Sequence, residues 1–196
     1  MADALVDIIL HGREERNIEY KESVPWGDAD IKAKLTRAAL AMSNIRDGGY
    51  IVIGVEQAGD AFTPTGMKQE DFDSFNQDHV SAHINNYADP FAEVTVTKQE
   101  HEGNRFVIIQ VAEFSEIPVI CKRDGLRLRH GAMYTRSRRM NESVEVPTSA
   151  EMREIMEAAI EKGFRRLLAT LRRAGAQVAE IGGVEGERFD DELEGL

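Results

Sequence analysis

Hydrophobic positions along the chain recur with either helical or strand periodicity, and this divides most of the sequence into short elements. Leu5, Ile8 and Ile9 share one side of an opening amphipathic helix that Gly12 is placed to end. In Asn17-Ile18-Glu19-Tyr20-Lys21 apolar and charged residues alternate, which predicts a strand with Ile18 and Tyr20 toward a core and Glu19 and Lys21 on the opposite face. Pro25 and Gly27 interrupt it. Asp28 or Asp30 then caps a helix that carries Ile31, Leu35, Ala38, Ala39 and Met42 at helical spacing and ends near Asn44. Gly48-Gly49 leads into residues 50–55, a β-branched run dense enough for a central strand.

Residues 69–87 read as one helix with Phe72, Phe75, Val80 and Ile84 turned inward. Two alternating runs, 93–98 and 106–111, read as a hairpin turning at His101-Glu102-Gly103-Asn104. Short strands are predicted at 118–121, 126–129 and 133–136. Pro147-Thr148-Ser149 announces a helical region over 150–173, broken or bent near Gly163. This order predicts an α/β (α+β) fold of two layers, a mixed β-sheet packed by helices, followed by a C-terminal helical segment. Residues 1–160 form the domain in this reading, 161–179 a helical extension and 180–196 a disordered acidic tail.

At 196 residues the chain buries enough apolar surface to fold without disulfides or metals. Cys121, the single cysteine, excludes an intramolecular disulfide and any zinc site built from two or more thiolates. The N-terminus lacks a basic leader region and no run approaches the ~20 apolar residues that span a bilayer, so a cytoplasmic protein without a membrane partner is expected. The net charge of −11 conceals a segregation. Residues 119–139 hold seven Lys or Arg against Asp124 alone, whereas 180–196 hold seven acids against Arg188.

Three stretches together resemble the Schlafen-type AlbA domain, a module credited with nucleic-acid binding. Glu14-(x4)-Glu19-x-Lys21 is similar to its opening E-x4-E-x-K. Ala41-Met42-Ser43-Asn44-(x3)-Gly48-Gly49 with the following strand and Gly54-Val55-Glu56 resembles its A-F-A-N-x2-G-G, strand, G-V-D/E block, with a loop one residue longer. Leu128-Arg129-His130-Gly131-Ala132 resembles its Y-x-R-x-G-S element, with Arg127 where an aromatic normally stands. The zinc ligands of animal Schlafens cannot be assembled with Cys121 as the only thiol. In those relatives three acids at similar positions cut structured RNA, which implies a catalytic set of Glu14, Glu19 and Glu56 as ligands of Mg2+ or Mn2+, assisted by Lys21.

Hard divalent cations take oxygen ligands, and Lys21 shares a strand face with Glu19, so the chemistry is consistent with that implication; solvated surface charges are the competing reading. The basic segment supplies candidate phosphate contacts in Lys122, Arg123, Arg127, Arg129, Arg136, Arg138 and Arg139, with Tyr134 as a stacking ring. His79 and His83 have the spacing of two zinc ligands on a helix but no companions, and read as surface histidines. Gly48-Gly49 is not a P-loop; its task is a tight turn, unless its amides hold a phosphate. Cys121 reads as a packed strand residue. Three function classes follow: a nucleic-acid-binding module, a metal-dependent ribonuclease, and an assembly protein forming a homo-oligomer through residues 150–173, where Met152, Ile155, Met156, Ala159 and Ile160 make an apolar face.

Overall fold

The structure is a computed structural model that describes residues 2–59, 61–138, 142–146 and 148–174. The acidic segment 180–196 and Arg139 lie outside the described residues. The chain opens with α1 (Ala2–Leu10), β1 (Ile18–Lys21), α2 (Ala29–Ser43) and β2 (Gly49–Ile53). Asp28 is the residue that caps α2, its carboxylate accepting from the amides of Asp30 and Ile31. A small hairpin, β3 (Glu56–Ala58) and β4 (Ala61–Thr63), precedes α3 (Gln69–Ser74) and α4 (Gln77–Asn85). After β5 (Ala88–Asp89) come β6 (Val94–His101) and β7 (Asn104–Val111), then β8 (Ile120–Cys121), β9 (Tyr134–Arg136), β10 (Ser143–Glu145) and α5 (Ser149–Arg173).

The main sheet has the order β1-β2-β7-β6, with β1 parallel to β2 and the other neighbours antiparallel. Both faces of its two central strands are covered, which explains why residues 51–53 and 106–109 are buried and apolar on both sides, where 106–111 reads in sequence as an alternating run. Ile51, Ile53, Val107 and Ile109 face Leu35, Ala38, Ala39 and Met42 of α2 and the α4 residues Val80 and Ile84. Val52, Phe106 and Ile108 face the other way, with Ile18 and Tyr20, onto Ile9 of α1. The predicted two-layer α/β fold is therefore present, with the N-terminal helix laid on its second face. Glu19 and Lys21, on the opposite side of β1 from Ile18 and Tyr20, fall in the layer of α2. The hairpin turns where predicted, with Glu102 and Gly103 both at positive φ.

Several elements differ from the sequence reading. Residues 69–87 form two helices, because Phe75 is extended and Asn76 starts a new helix by accepting from the amides of Asp78 and His79. Residues 126–129 are a tight turn, in which Gly125 and Leu128 exchange backbone hydrogen bonds around Arg127 at φ 61°. The helix of 150–173 does not break at Gly163: Arg46–Glu161, Lys162–Glu113 and Arg166–Glu116 contacts hold it down on both sides, against a glycine cost of about 1 kcal/mol. His83 is half-buried edge-on to Trp26, and burial lowers its pKa. Cys121 is a buried strand residue whose thiol pKa burial raises. Among the described residues no helix is long and apolar enough to cross a membrane.

Gly48-Gly49 acts through sterics. The amide of Gly48 donates to Ile45 O, so it is spent inside the turn rather than free for a phosphate. A Cβ on Gly48, at φ +69°, would lie 2.0 Å from Val111 O. A left-handed φ alone costs a non-glycine residue about 1–2 kcal/mol. We therefore expect Gly48→Ala to lower the melting temperature by at least about 2 °C, the smallest shift that 1–2 kcal/mol gives in a chain of this size. Gly27→Ala, where nothing lies within 4 Å of the added carbon, should leave it nearly unchanged in the same thermal scan.

Candidate functional site

A cleft of about 410 Å3 opens where β1, α2, β9 and β10 meet. Its walls carry Glu14, Glu19 and Lys21 from the first segment, Lys34 and Arg37 from α2, Gln57 from β3, Arg127 from the turn, and Arg136, Glu142 and Ser143 from the last strands. At its base is an ion pair buried on both sides. Glu19 is 8% and Arg136 1% exposed. Arg136 Nη1 donates to Glu19 Oε2 at 2.6 Å and to Ser143 Oγ at 3.3 Å, and Nε donates to Arg16 O at 3.1 Å. The other carboxylate oxygen, Glu19 Oε1, meets Lys21 Nζ at 2.8 Å. Glu14 accepts from the amide of Tyr20 at 3.1 Å, which fixes it at the mouth of β1.

Two side chains place β9 here. Asn44, buried at the end of α2, donates from Nδ2 to Val119 O and Tyr134 O and accepts from the Val119 amide, so its whole amide is used on residues far along the chain. Arg16 donates from Nε to Arg136 O at 2.9 Å and grips Glu154 of α5 with both terminal nitrogens, at 2.6 and 2.9 Å. A continuous run of charged contacts thus leads from α5 through Arg16 and Arg136 to Glu19 and Lys21.

The site residues, predicted and unpredicted, separate into three groups. Glu14, Glu19 and Lys21 come together in the cleft. Glu56 does not, because neighbouring strand residues face opposite ways and in β3 it is Gln57 that lines the cleft. The three-carboxylate set of Glu14, Glu19 and Glu56 is not assembled as expected, and among the described residues no three acidic, histidine or cysteine side chains gather to hold a metal ion.

The basic segment is the second group, and it is not the open strip of cations that its local charge implied. Arg127 pairs with Asp30, Arg129 with Glu145 and Arg138 with Glu154, all acids distant in sequence. Arg136 is buried, and so is Tyr134 at 3% exposure, its ring under the Arg37 guanidinium and its hydroxyl accepting from the Arg129 amide. Tyr134 therefore offers no free face to a base. Lys122 and Arg123 remain exposed, the latter over the Tyr87 ring. The third group is what the sequence reading missed: Arg16, Lys34, Arg37 and Asn44. The signal that could have found the cleft was the tyrosine-x-arginine spacing of Tyr134-Thr135-Arg136 on an alternating strand. Arg136, rather than Arg129, is what the fold brings to the cleft.

With this geometry established, the family profile described as Schlafen, AlbA_2 matches residues 14–145. No curated protein matches the chain. The DIP2311 protein from Corynebacterium diphtheriae is structurally similar at 18% identity, with a TM-score of 0.50 over 78% of this chain, which spans only 28% of that one. The N-terminal domain of a protein related to the ATP-dependent DNA helicase RecG, from Nitrosomonas europaea, aligns at 21% identity with a TM-score of 0.44, over 66% of this chain and 87% of that one. At these identities the likeness is one of fold.

The clamp on α5 has a pH signature. Hydrogen bonds from Arg16 and then Arg138 hold the Glu154 carboxyl below its usual value. A depressed folded pKa gives stability that is present above the unfolded value of about 4.3 and lost as pH falls through the folded one. Glu154→Gln should therefore melt below wild type at neutral pH, and the gap between the two should close in acid, as read by thermal unfolding over a pH series.

Proposed function

Because the chain belongs to the Schlafen AlbA_2 family, we propose that it is a nucleic-acid-binding module whose phosphate-facing surface is this cleft. One observation carries the reading: four separate segments deliver Lys21, Lys34, Arg37, Arg127 and Arg136 to one concavity, against Glu14, Glu19 and Glu142. Cations gathered at one place neutralise phosphates, whereas Arg129 and Arg138 of the basic segment are matched by Glu145 and Glu154 outside the cleft. The volume lies in the ~300–1,000 Å3 range of sites that enclose small ligands. It fits a nucleotide or two of a single strand, not the width of a duplex. Unstacked strands are also what proteins read when no recognition helix is available.

The test is the salt dependence of binding to single-stranded RNA and DNA. Removing a cation that neutralises one phosphate should reduce the log–log slope by about 0.7. Lys34→Ala combined with Arg127→Ala is expected to flatten the slope and weaken binding, while Lys122→Ala with Arg123→Ala changes it less. The reverse order would move the binding surface to the outer segment and contradict the cleft reading.

A second reading, assembly, rests on α5. Its outer side exposes Met152, Met156, Ile160, Phe164, Leu167 and Leu171, with Ile160 at 67%, at intervals of four, four, four, three and four that keep them along one side of the helix. Glu157 and Glu161 precede Gly163, and Arg165, Arg166, Arg172 and Arg173 follow it. An antiparallel second copy would set the acidic half of each helix against the basic half of the other, so the chain is its own complement. Sedimentation of the full chain should show a dimer that Leu167→Glu converts to monomer; a wild type that stays monomeric at high concentration contradicts this.

A further inference from the structure

Among the described residues the buried side-chain polar atoms without a partner are Thr36 Oγ1, Arg37 Nε, Thr135 Oγ1 and Arg136 Nη2. They belong to two dipeptides, Thr36-Arg37 on α2 and Thr135-Arg136 on β9, and these two elements pack against each other. Buried donors are nearly always satisfied in folded proteins, so an unmatched cluster points to something that completes it. The threonine hydroxyls do not line the cleft. Arg37 and Arg136 do.

Arg136 is fixed before any ligand arrives. Its Nε and Nη1 are spent on Arg16 O, Glu19 and Ser143, which leaves Nη2 as the unused edge of a 1% exposed side chain. Arg37 is fixed as well, its guanidinium lying 5.2 Å over the Tyr134 ring. Tyr134 and Arg136, two apart on β9, share a strand face, so Arg37 is held on the side where Arg136 points. The nearby Glu19 does not oppose an anion, because both Lys21 and Arg136 neutralise it.

From this arrangement we infer that Arg37 and Arg136 form a seat for one phosphate group at the base of the cleft, with Arg136 Nη2 and Arg37 Nε donating to its oxygens. Guanidinium donors in fixed orientation match the tetrahedral oxyanion better than flexible ammonium groups do. The inference deepens the proposed nucleic-acid reading and rests on it for its ligand. The phosphate is either a diester within a strand or a terminal monoester, and the same donors serve both.

The experiment follows the arginine Nε–H resonances by NMR at constant ionic strength. Inorganic phosphate is titrated first, then a short oligonucleotide with a 5′-phosphate, then the same oligonucleotide without it. The Arg37 and Arg136 signals are expected to shift together and saturably with phosphate. Arg37→Gln, which leaves the Glu19 pair intact, should weaken that binding at least about tenfold, the loss of one charged hydrogen-bonding group. Tighter binding of the phosphorylated oligonucleotide assigns the seat to a terminal monoester, and equal binding assigns it to a backbone diester. If phosphate moves neither signal and Arg37→Gln binds both oligonucleotides like wild type, the donors are satisfied by water only and the seat is overturned while the binding cleft stands. If phosphate binds and neither oligonucleotide does, the seat stands and the nucleic-acid reading falls.

Discussion

A carboxylate and a guanidinium cannot be taken out of water singly, and the arrangement of this domain follows from that rule at Glu19 and Arg136. Removing one partner of such a pair leaves an uncompensated buried charge, which costs about 3–5 kcal/mol. The two residues lie 117 positions apart. To satisfy Glu19, β9 must lie against α2 with Arg136 reaching β1, and Asn44 and Arg16 are the groups that keep it there. The cleft is the space left around this junction, which is why its walls come from both ends of the family domain.

The same junction bears on the proposal that a site of mixed charge takes an anion. Glu19 is held between Lys21 and Arg136, so its charge is cancelled at its source. Arg37 is stacked on Tyr134 and Arg127 is braced by Asp30, so both of these guanidinium groups are held in place. Orientation is set by contacts made during folding, so a bound phosphate need order little.

Elements whose pattern is local were legible in the sequence. The central strand β2 shows as a dense apolar run, α2 as a capped periodic helix and the β6–β7 hairpin through its turn, because each is determined by neighbours a few residues away. Asn76 was a readable helix start that the apolar spacing of Phe72, Phe75 and Val80 concealed. The site was legible only in part. Glu14, Glu19 and Lys21 were found by motif, but charge counted along residues 119–139 misjudged the basic segment, since its balancing acids Asp30, Glu145, Glu154 and Glu19 lie elsewhere in the chain. Glu56 failed by a single position, the difference between the two sides of a strand.

The dependence of the fold and its cleft on one buried pair is tested most directly by a double-mutant cycle, with Glu19→Gln and Arg136→Met measured singly and together by denaturant unfolding. Each single change should cost about 3–5 kcal/mol, and the double change scarcely more than either one, giving a coupling of about 3 kcal/mol. Costs that simply add would contradict the account: the two charges would then contribute independently, and the junction would owe its position to the surrounding apolar packing alone.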